Sequence, residues 1–599
     1  MDDFLSYYNN ELAFLRAAGG EFAKANPKIA RQLRLNEQGS EDPHVARIIE
    51  SFAFLTARIQ RRINDDLPEI ADTILNLLYP HYQLPIPALS IIQLQANAEA
   101  TEGYLIPEST QIENHLSYGT ICQFSTCYDT LIYPIEITRI ELVENESTTS
   151  PFLPQTQNAL IINVRCLKPD VSFCTLNPKR IRFFINAATP YSFQFYELLF
   201  KEKLGGFIIE EGKNPIPFNA DAISPVGFDE NEGLFPYPEQ SMLNYRLLTE
   251  FFIFPEKFLF FDLILNDDFY KTHAIGREIT CVICFKKKTP ALRSIITKNS
   301  LLLHCTPLIN LFDKVGEPIL VDQTQSNYPI IPDARRLTEI EIYKIQSILL
   351  SDRSGTPYHC SPLYGFKEQN NQSVYWHSER KNRNLDASST EPYRQEDVFV
   401  SFIDNHNHIN NVAIAQPQLL CTNHQLPSKL PHGGNHPKLQ FIKDNIKGDI
   451  RVLLPFTPAY HLSLSHGMRW QLISLLMLNT FSFVNNTNAT KFVREILQLY
   501  NFSRSEENTL FINTIESVVT KSIVTRGDAH YGNAILNGTE VIITFLKEHA
   551  SLFLFTSVFE KFITAYCSIN SFTQLTVRYV NQSGDLIRWK PNMGKKSLL

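Results

Sequence analysis

Residues 85–95, Pro-Ile-Pro-Ala-Leu-Ser-Ile-Ile-Gln-Leu-Gln, mark a change in the pattern of the chain. Before them apolar residues recur at helical spacing, and from Ile91 onwards β-branched residues form short runs of the kind found in strands. Comparable runs follow at 131–133, 137–142, 159–164, 181–185, 279–285 and 300–305. The frequent Pro and Asn between them predict antiparallel sandwiches or barrels, with few helices before about residue 465.

The first 80 residues predict three helices. Asp42-Pro43 favours a helix start, because an acidic N-cap is followed by proline at the first helical position. This helix should end near Leu67-Pro68, and two others are expected at about 3–24 and 68–79. Its apolar residues fall on one stripe, which the three helices could cover themselves or leave for another chain; the stripe consists of Val45, Ile48, Phe52, Leu55, Ile59 and Ile63.

Phenylalanine is unusually frequent, with 42 residues spread along the chain. Residues 251–261, Phe-Phe-Ile-Phe-Pro-Glu-Lys-Phe-Leu-Phe-Phe, concentrate six of them around Pro255 and two charged residues. The segment is too short and too interrupted to span a membrane. It predicts a crossing between sheets that is buried on both sides.

The pattern changes twice more towards the C-terminus. Aliphatic residues nearly vanish from 351 to 397, which predicts an exposed insertion or long loop. Near the end, Ser557 and Glu560 have capping-box spacing, with Phe559 and Phe562 on the helical face behind them. The chain is therefore expected to be a multidomain α+β protein. Its predicted regions are a helical bundle (1–85), a β-rich part (86–345), a β-rich part with long polar loops (346–465) and a mixed α/β part (466–599).

Composition narrows the classes of function. With 55 basic and 62 acidic residues the net charge is −7, which argues against a dedicated nucleic-acid binder. No apolar run reaches the 18 or so residues of a membrane helix, so no direct membrane insertion is expected. Ten cysteines without a spacing rhythm are typical of reduced thiols in a cytosolic protein.

A search for catalytic and metal-binding patterns gives little. The chain has no His-Glu-x-x-His, Gly-x-x-x-x-Gly-Lys, Gly-x-Gly-x-x-Gly or Gly-x-Ser-x-Gly motif. Cys281 and Cys284 have ligand spacing, but they lie in a strand pattern in which residues three apart point to opposite faces. Cys421 and His424, with His432 and His436 downstream, form a somewhat better candidate, although a turn with solvated histidines is the favoured interpretation. We therefore expect no catalytic, cofactor-binding or metal-binding residues, and no enzymatic activity.

Several longer stretches are similar to one known family. They begin with Tyr7-Tyr8-x-x-Glu11-Leu12, Glu21-Phe22-Ala23, Pro27-Lys28-Ile29-Ala30, Asp42-Pro43-His44-Val45 and Ser51-Phe52-Ala53-Phe54-Leu55-Thr56-Ala57-Arg58. They continue at 225–229, 247–258, 306–312, 328–336, 421–427, 472–474 and 569–573. In these stretches the chain resembles the TssF family, also called VasA or ImpG, of baseplate subunits of the bacterial type VI secretion system. One departure is His424-Gln425, where the family pattern favours Arg-Asp.

The resemblance implies a structural role without catalysis or cofactors. It implies a baseplate wedge formed with TssG, TssK and TssE, with wedges around a VgrG hub that seed the contractile TssB/TssC sheath. It also implies two copies of this chain per TssG, and a cytoplasmic location docked at the inner-membrane complex. Residues expected at partner interfaces are Val45, Ile48, Phe52, Leu55, Ile59, Phe559 and Phe562.

An alternative drawn from the β-rich pattern is a carbohydrate-active or carbohydrate-binding protein. An enzyme of this kind requires a cleft with convergent carboxylates. Purification of the protein with its bound partners would separate the two interpretations.

Overall fold

The computed structural model of the chain divides into two units, residues 1–83 with 463–477 (unit 1) and residues 84–462 with 478–599 (unit 2). The continuous stretches that the structure describes are 43–65, 82–114, 121–144, 155–210, 212–237, 243–265, 275–322, 324–352, 357–363, 374–382, 396–404, 412–432, 437–442, 448–461, 489–503, 505–526, 535–564, 571–582 and 584–593. Single or paired residues are also described at 8, 12, 15, 28, 35–36, 39–40, 74–75, 153, 269, 472–473 and 567.

Unit 1 contains the helix predicted behind Asp42. A short hairpin of β1 (Leu35–Asn36) and β2 (Gly39–Ser40) precedes α1 (Pro43–Asp65). The helix starts at the predicted proline and ends shortly before the predicted stop at Leu67-Pro68. The other two predicted helices lie almost entirely outside the described residues, so the helical bundle stays a prediction.

Unit 2 begins with strands and a few helices. Its strands up to residue 285 are β3 (Leu89–Leu94), β4 (Tyr104–Ile106), β5 (Gln111–Asn114), β6 (Gln123–Thr126), β7 (Thr130–Ile132), β8 (Ile135–Glu144), β9 (Asn158–Cys166), β10 (Arg180–Ile185), β11 (Lys203–Ile209), β12 (Ile216–Asn219), β13 (Ile223–Pro225), β14 (Phe260–Ile264) and β15 (Glu278–Phe285). The helices of this part are α2 (Phe173–Leu176), α3 (Tyr191–Lys201), α4 (Leu243–Ile253) and α5 (Pro290–Arg293).

The rest of unit 2 is strand-rich and then mixed. The next strands are β16 (Leu301–Leu303), β17 (Cys305–Ile309), β18 (Phe312–Val315), β19 (Ile319–Leu320), β20 (Tyr328–Pro329), β21 (Glu341–Asp352), β22 (Pro357–Pro362), β23 (Val374–Asn382), β24 (Glu396–Asp404), β25 (Val412–Thr422), β26 (Leu439–Phe441) and β27 (Ile450–Val452). The last elements are α6 (Ala489–Leu499), α7 (Glu506–Asn513), β28 (Ile515–Arg526), β29 (Ile535–Phe545), α8 (Leu552–Thr564), β30 (Ser571–Tyr579), β31 (Ile587–Arg588) and β32 (Asn592–Met593).

These strands form a closed barrel and several open sheets. The barrel follows the order β17-β3-β27-β26-β5-β6 and is filled by residues such as Ile92, Ile112, Phe124 and Leu308. An eight-stranded sheet has the order β18-β25-β21-β22-β23-β24-β20, with β19 added on β25. The other main sheets are β12-β11-β15-β9-β8, β13-β14-β10-β16 and β28-β29-β30-β31 with β32 on β30.

The predicted α+β class is confirmed, and the pairing is mostly antiparallel, as expected. Exceptions are β22 with β23 and β29 with β30, which pair in parallel. The division into four regions stays a prediction; β21 runs through residue 345, and the barrel takes strands from both sides of that residue. None of the helices in the described part of the chain has the length and hydropathy that a membrane span requires.

The prediction of a long loop over 351–397 is wrong for the residues that form β22 and β23. In β23, Val374 and Trp376 are buried while charged residues occupy other positions of the strand. Aromatic and β-branched residues favour strands as strongly as aliphatic ones do. A segment with few Leu and Ile residues can therefore still form a half-exposed strand, as β23 does, and need not be a loop.

The phenylalanine-rich segment links a helix to a strand. It contains the end of α4, a 3₁₀ turn at Pro255–Phe258 and the start of β14, and all six of its Phe side chains are buried. The expected burial is thus confirmed. Phe261 stacks on Phe183 of the neighbouring strand β10, with ring centroids 5.0 Å apart, and Phe260 packs on Phe184 at 4.7 Å.

A buried ion pair lies beside this segment. The side chains of Lys257 and Glu250 are fully buried and in direct contact. Lys257 Nζ also donates to the carbonyl oxygen of Glu232 at 2.9 Å, and Glu250 Oε1 accepts from the N–H of Leu234 at 2.7 Å. Burial lowers the pKa of Lys257, and the charge of Glu250 offsets only part of that effect.

A second charged group extends the network. Arg182 donates two hydrogen bonds to Asp262, at 2.8 and 2.9 Å, and one to Glu232 at 3.1 Å. The second carboxylate oxygen of Glu232 accepts from the N–H of Gly227 at 2.6 Å. Buried charges are tolerated when they are paired and hydrogen-bonded, as these are.

His304 joins β16 to β17 in the interior. Its φ of +59° lies in the left-handed region, and its Nε2 accepts a hydrogen bond from the N–H of Tyr133 at 3.3 Å. Burial lowers the pKa of His304 to about 4. The imidazole is therefore neutral at pH 7, as its role as an acceptor requires.

We expect Lys257→Met to lower the free energy of unfolding by about 3–5 kcal/mol, because it leaves the Glu250 carboxylate buried without its counter-charge. Urea denaturation of the full chain measures this. Lys213→Met is the control: Lys213 is half-exposed in its pair with Glu210, so a change below about 1 kcal/mol is expected. The double change Lys257→Met with Glu250→Leu should restore much of the loss. Equal losses of stability for Lys257→Met and Lys213→Met would contradict the role given to the buried ion pair.

His304 predicts a pH dependence of stability. In the unfolded chain its pKa is about 6.5, so protons bind the unfolded state more strongly below that pH. Its contribution is complete above about pH 6.5 and is lost as the pH falls towards 4. Between pH 7 and pH 5 the wild-type chain should lose about 2 kcal/mol more than His304→Asn, which tolerates the positive φ and does not titrate. Urea denaturation at both pH values tests this, and parallel losses would refute it.

Candidate functional site

The apolar stripe predicted on α1 is exposed where the structure describes it. Ile48, Phe52 and Leu55 are 57%, 61% and 52% exposed. Ala53 and Ala57 are fully buried and lie on roughly the opposite side of the helix. Val45 and Ile59 belong to α1 by position, but their side chains lie outside the described residues. The helix thus combines a buried side of small residues with a large apolar face that its own unit leaves exposed.

The prediction of Phe559 and Phe562 as partner contacts needs correction. Both are buried within the chain, at 1% and 0% exposure. Phe562 packs on Tyr245 of α4 with ring centroids 5.6 Å apart, and Phe559 lies at the same distance from Phe555. Helix α8 is apolar on all sides, which is the pattern of a core helix. The sequence shows that such a face must be covered, but it does not show that α4 of the same chain covers it.

The capping box proposed at Ser557 is also wrong. Helix α8 already starts at Leu552, so Ser557 lies inside it. Its hydroxyl donates to the carbonyl oxygen of Phe553 at 2.8 Å, one turn earlier.

A cluster of two histidines and one glutamate lies in unit 2. Glu341 starts β21, His424 follows the end of β25, and His461 lies beyond β27. His461 Nε2 is 2.6 Å from Glu341 Oε1, and the two imidazole rings are 5.3 Å apart between centroids. One side-chain N or O atom from each residue lies within 4.8 Å of the others. Burial by itself lowers the pKa of His461, but the hydrogen bond and the charge of Glu341 outweigh it, so this pKa is raised.

The backbone at His424 is held by its neighbours. Its φ of +54° is unusual for a residue with a side chain, and its N–H donates to Thr422 Oγ1 at 2.9 Å. Next to it, the N–H of Asn423 donates to Asn310 Oδ1 at 2.7 Å, and Asn310 returns a bond to Asn423 Oδ1 at 3.0 Å. The backbone at His424 is therefore held beside a buried amide pair that joins the ends of β17 and β25.

Gln425 connects the loop of His424 to the segment of His461. Its side-chain amide donates to the carbonyl oxygen of Ala459 and accepts from the N–H of Ala459 at 3.2 Å. Tyr460, between Ala459 and His461, pairs with Ile86 just before the barrel strand β3. The cluster thus lies where the eight-stranded sheet meets the barrel.

A cavity of about 230 Å³ adjoins the cluster. Glu341 and His424 line it together with Glu396 and Asp397 of β24, and with the apolar and proline side chains around Pro329 and Pro332. Glu396 is paired with Arg380, with 3.6 Å between Oε2 and the guanidinium. Among the described residues, His461 is the ion-pair partner of Glu341, and Arg380 acts on His461 only through its more distant charge.

The metal candidates considered from the sequence are not brought together. Cys421 faces the core of the eight-stranded sheet, His432 is exposed, and His436 lies outside the described residues. Cys281 and Cys284 are buried in β15, the strand in which they were expected. Glu341 and His461 were missed because they are 120 residues apart and neither belongs to a local motif.

Comparisons with known proteins agree with the resemblance found in the sequence. The type VI secretion system component TssF1 of Pseudomonas aeruginosa is 27% identical over 632 residues, covering 99% of each chain. Among solved structures, a chain of the type VI TssK-TssF-TssG baseplate subcomplex matches with a TM-score of 0.73 at 22% identity, covering 92% of this chain and 99% of that one. A chain of the type VI baseplate complex matches with a TM-score of 0.58 at 20% identity, covering 99% and 100%. These two likenesses show a shared fold.

The family described as "Type VI secretion system, TssF" matches residues 1–596, which is almost the whole sequence. This family is a structural component of the secretion baseplate and not an enzyme. The prediction that the chain is not an enzyme is therefore confirmed, and the carbohydrate-active alternative is not supported. The chain belongs to the TssF family of the type VI secretion system.

Proposed function

We propose that this chain is a structural wedge subunit of a type VI baseplate, in direct contact with TssG and TssK subunits. The observation that carries the proposal is the match of one family over residues 1–596, which includes both units of the chain. It is supported by the solved complex of a similar chain, in which TssK, TssF and TssG occur together.

The exposed face of α1 is the contact that we assign to TssG. Ile48, Phe52 and Leu55 place large apolar side chains on one side of the helix within about two turns. Clusters of exposed aromatic and aliphatic side chains are typical of protein interfaces. By their spacing Val45 and Ile59 extend the same face in both directions. A second amphipathic helix is the natural partner for such a stripe.

The proposal includes a wider set of contacts. TssE, the VgrG hub and the TssB/TssC sheath are proposed neighbours, with the wedge in the cytoplasm at the inner-membrane complex. Two copies of this chain are proposed for each TssG. If both copies use α1, the same apolar face must pack against two different surfaces of the complex. Apolar contacts allow this because they are not directional.

We expect Leu55→Asp to prevent co-purification with TssG while leaving the folding of the chain intact. Leu55 is half-exposed in the isolated chain, so a carboxylate there is solvated until a partner covers it. The wild-type chain, co-expressed with TssG and TssK of the same bacterium, should give a complex with two copies of this chain per TssG. Native mass spectrometry gives the composition, and thermal unfolding of the isolated chain gives the stability.

The matched control is Arg58→Asp on the same helix, which changes an exposed charged residue and should assemble normally. A wild-type chain that forms no complex with TssG would contradict the proposed function. A complex that tolerates Leu55→Asp would contradict only the use of α1.

A further inference from the structure

We propose that Glu341, His424 and His461 bind one divalent transition-metal ion, with zinc as the preferred metal. Two imidazoles and one carboxylate are the three-ligand set of many zinc sites with an open fourth position. Imidazole nitrogen also selects transition metals over Mg²⁺ and Ca²⁺, which require more oxygen ligands. This donor set does not depend on the secretion role and would be a separate property of the chain.

The distances suit the insertion of an ion. In a tetrahedral site with bonds of about 2.0–2.1 Å, neighbouring ligand atoms are about 3.3 Å apart. Here Glu341 and His461 are slightly closer, at 2.6 Å, and the widest separation among the three ligand atoms is at most 4.8 Å. Bringing the three atoms to this spacing changes their separations by at most about 1.5 Å, which is within the reach of side-chain rotation.

The ligands are positioned before any ion arrives. His424 is held by the pair of Asn310 with Asn423, and the loop is tied to the His461 segment through Gln425. Such support of the ligands by surrounding hydrogen bonds is a general property of metal sites. The left-handed backbone of His424 is also an arrangement that recurs at ligand-binding positions.

The charge of the cluster favours a cation. Glu341 is buried at 7% exposure, and its Oε2 has no hydrogen-bond partner among the described residues. The Nδ1 atom of His461 is equally without a partner there. A buried carboxylate requires a positive charge, which is either a proton on histidine or a metal ion. An ion within reach of all three side chains would give this carboxylate a positive partner that also accepts the lone pairs of both imidazoles.

An ion at this position would join two parts of unit 2. Glu341 starts β21 and His424 follows β25 of the eight-stranded sheet, whereas His461 follows the residue that pairs with the segment before β3 of the barrel. A bond from each side would hold sheet and barrel together more firmly than the existing hydrogen bonds. Glu341 and His424 also line the cavity of about 230 Å³, which has room for a water molecule beside such an ion.

The test is titration of the full-length, metal-stripped chain with Co²⁺, followed by displacement with Zn²⁺. We expect one Co²⁺ per chain, visible-range absorption without a thiolate charge-transfer band, complete displacement by zinc, and no competition by Mg²⁺. His424→Gln and His461→Gln should each weaken binding at least tenfold, and His432→Gln, an exposed histidine of the same region, should not. Saturating zinc should raise the melting temperature of the wild-type chain and leave those of the first two variants unchanged.

The wild-type titration decides the proposal even where a variant does not fold. Absence of stoichiometric binding would overturn it, as would a thiolate band, which would assign the metal to cysteine. Unchanged affinity in both folded ligand variants would also overturn it. In that case the cluster would be a histidine–glutamate pair stabilised by a proton.

Discussion

The buried pair of Lys257 and Glu250 is the constraint on which the centre of unit 2 depends. Both charged groups are buried, so protein groups take the place of water as their hydrogen-bond partners. These include the carbonyl oxygen of Glu232 for Lys257 and the N–H of Leu234 for Glu250. Both groups belong to the segment 226–237 that follows β13, and moving them away would leave a buried charge without its hydrogen bond. Gly227 shows how closely the parts fit: its φ is +99°, and a Cβ there would lie 3.1 Å from Lys257 Cε.

Aromatic packing adds a second constraint around α8. Phe555 contacts Phe251 of α4 at 5.5 Å, Phe511 of α7 at 5.0 Å and Phe545 of β29 at 6.4 Å between ring centroids. Tilted and edge-on contacts of this kind fix the angle between elements as well as their distance. Much of the phenylalanine of the chain is therefore used inside one molecule. Helix α1 has the opposite arrangement, with Ala53 and Ala57 buried and Ile48, Phe52 and Leu55 exposed, and this is the surface that we propose for assembly.

The sequence predicted what depends on neighbours along the chain and missed what depends on contacts across it. The start of α1 followed from Asp42-Pro43, and the burial of residues 251–261 followed from their composition, because both signals are local. The covering of Phe559 by the same chain is a tertiary fact that no helical pattern contains. The meeting of Glu341 with His461 likewise depends on how two strands and a loop are placed. Of these residues only His424 is a candidate from the sequence, and the favoured interpretation there, a turn with solvated histidines, is wrong for His424 because it is buried.

The stretches that carry the family resemblance meet at the places where polar groups are buried. Residues 225–229 and 247–258 surround the Lys257 ion pair, and residues 306–312 and 421–427 meet through Asn310 and Asn423. Leaving any member of a buried polar network unpaired destabilises the protein, so few substitutions are tolerated there. An apolar core, in contrast, tolerates many apolar substitutions of similar volume. Resemblance at low overall identity is then expected to persist in such networks. His424 lies directly beside one of these networks, and the hydrogen bonds of Asn423 and Thr422 hold its backbone in the conformation that brings it near Glu341 and His461.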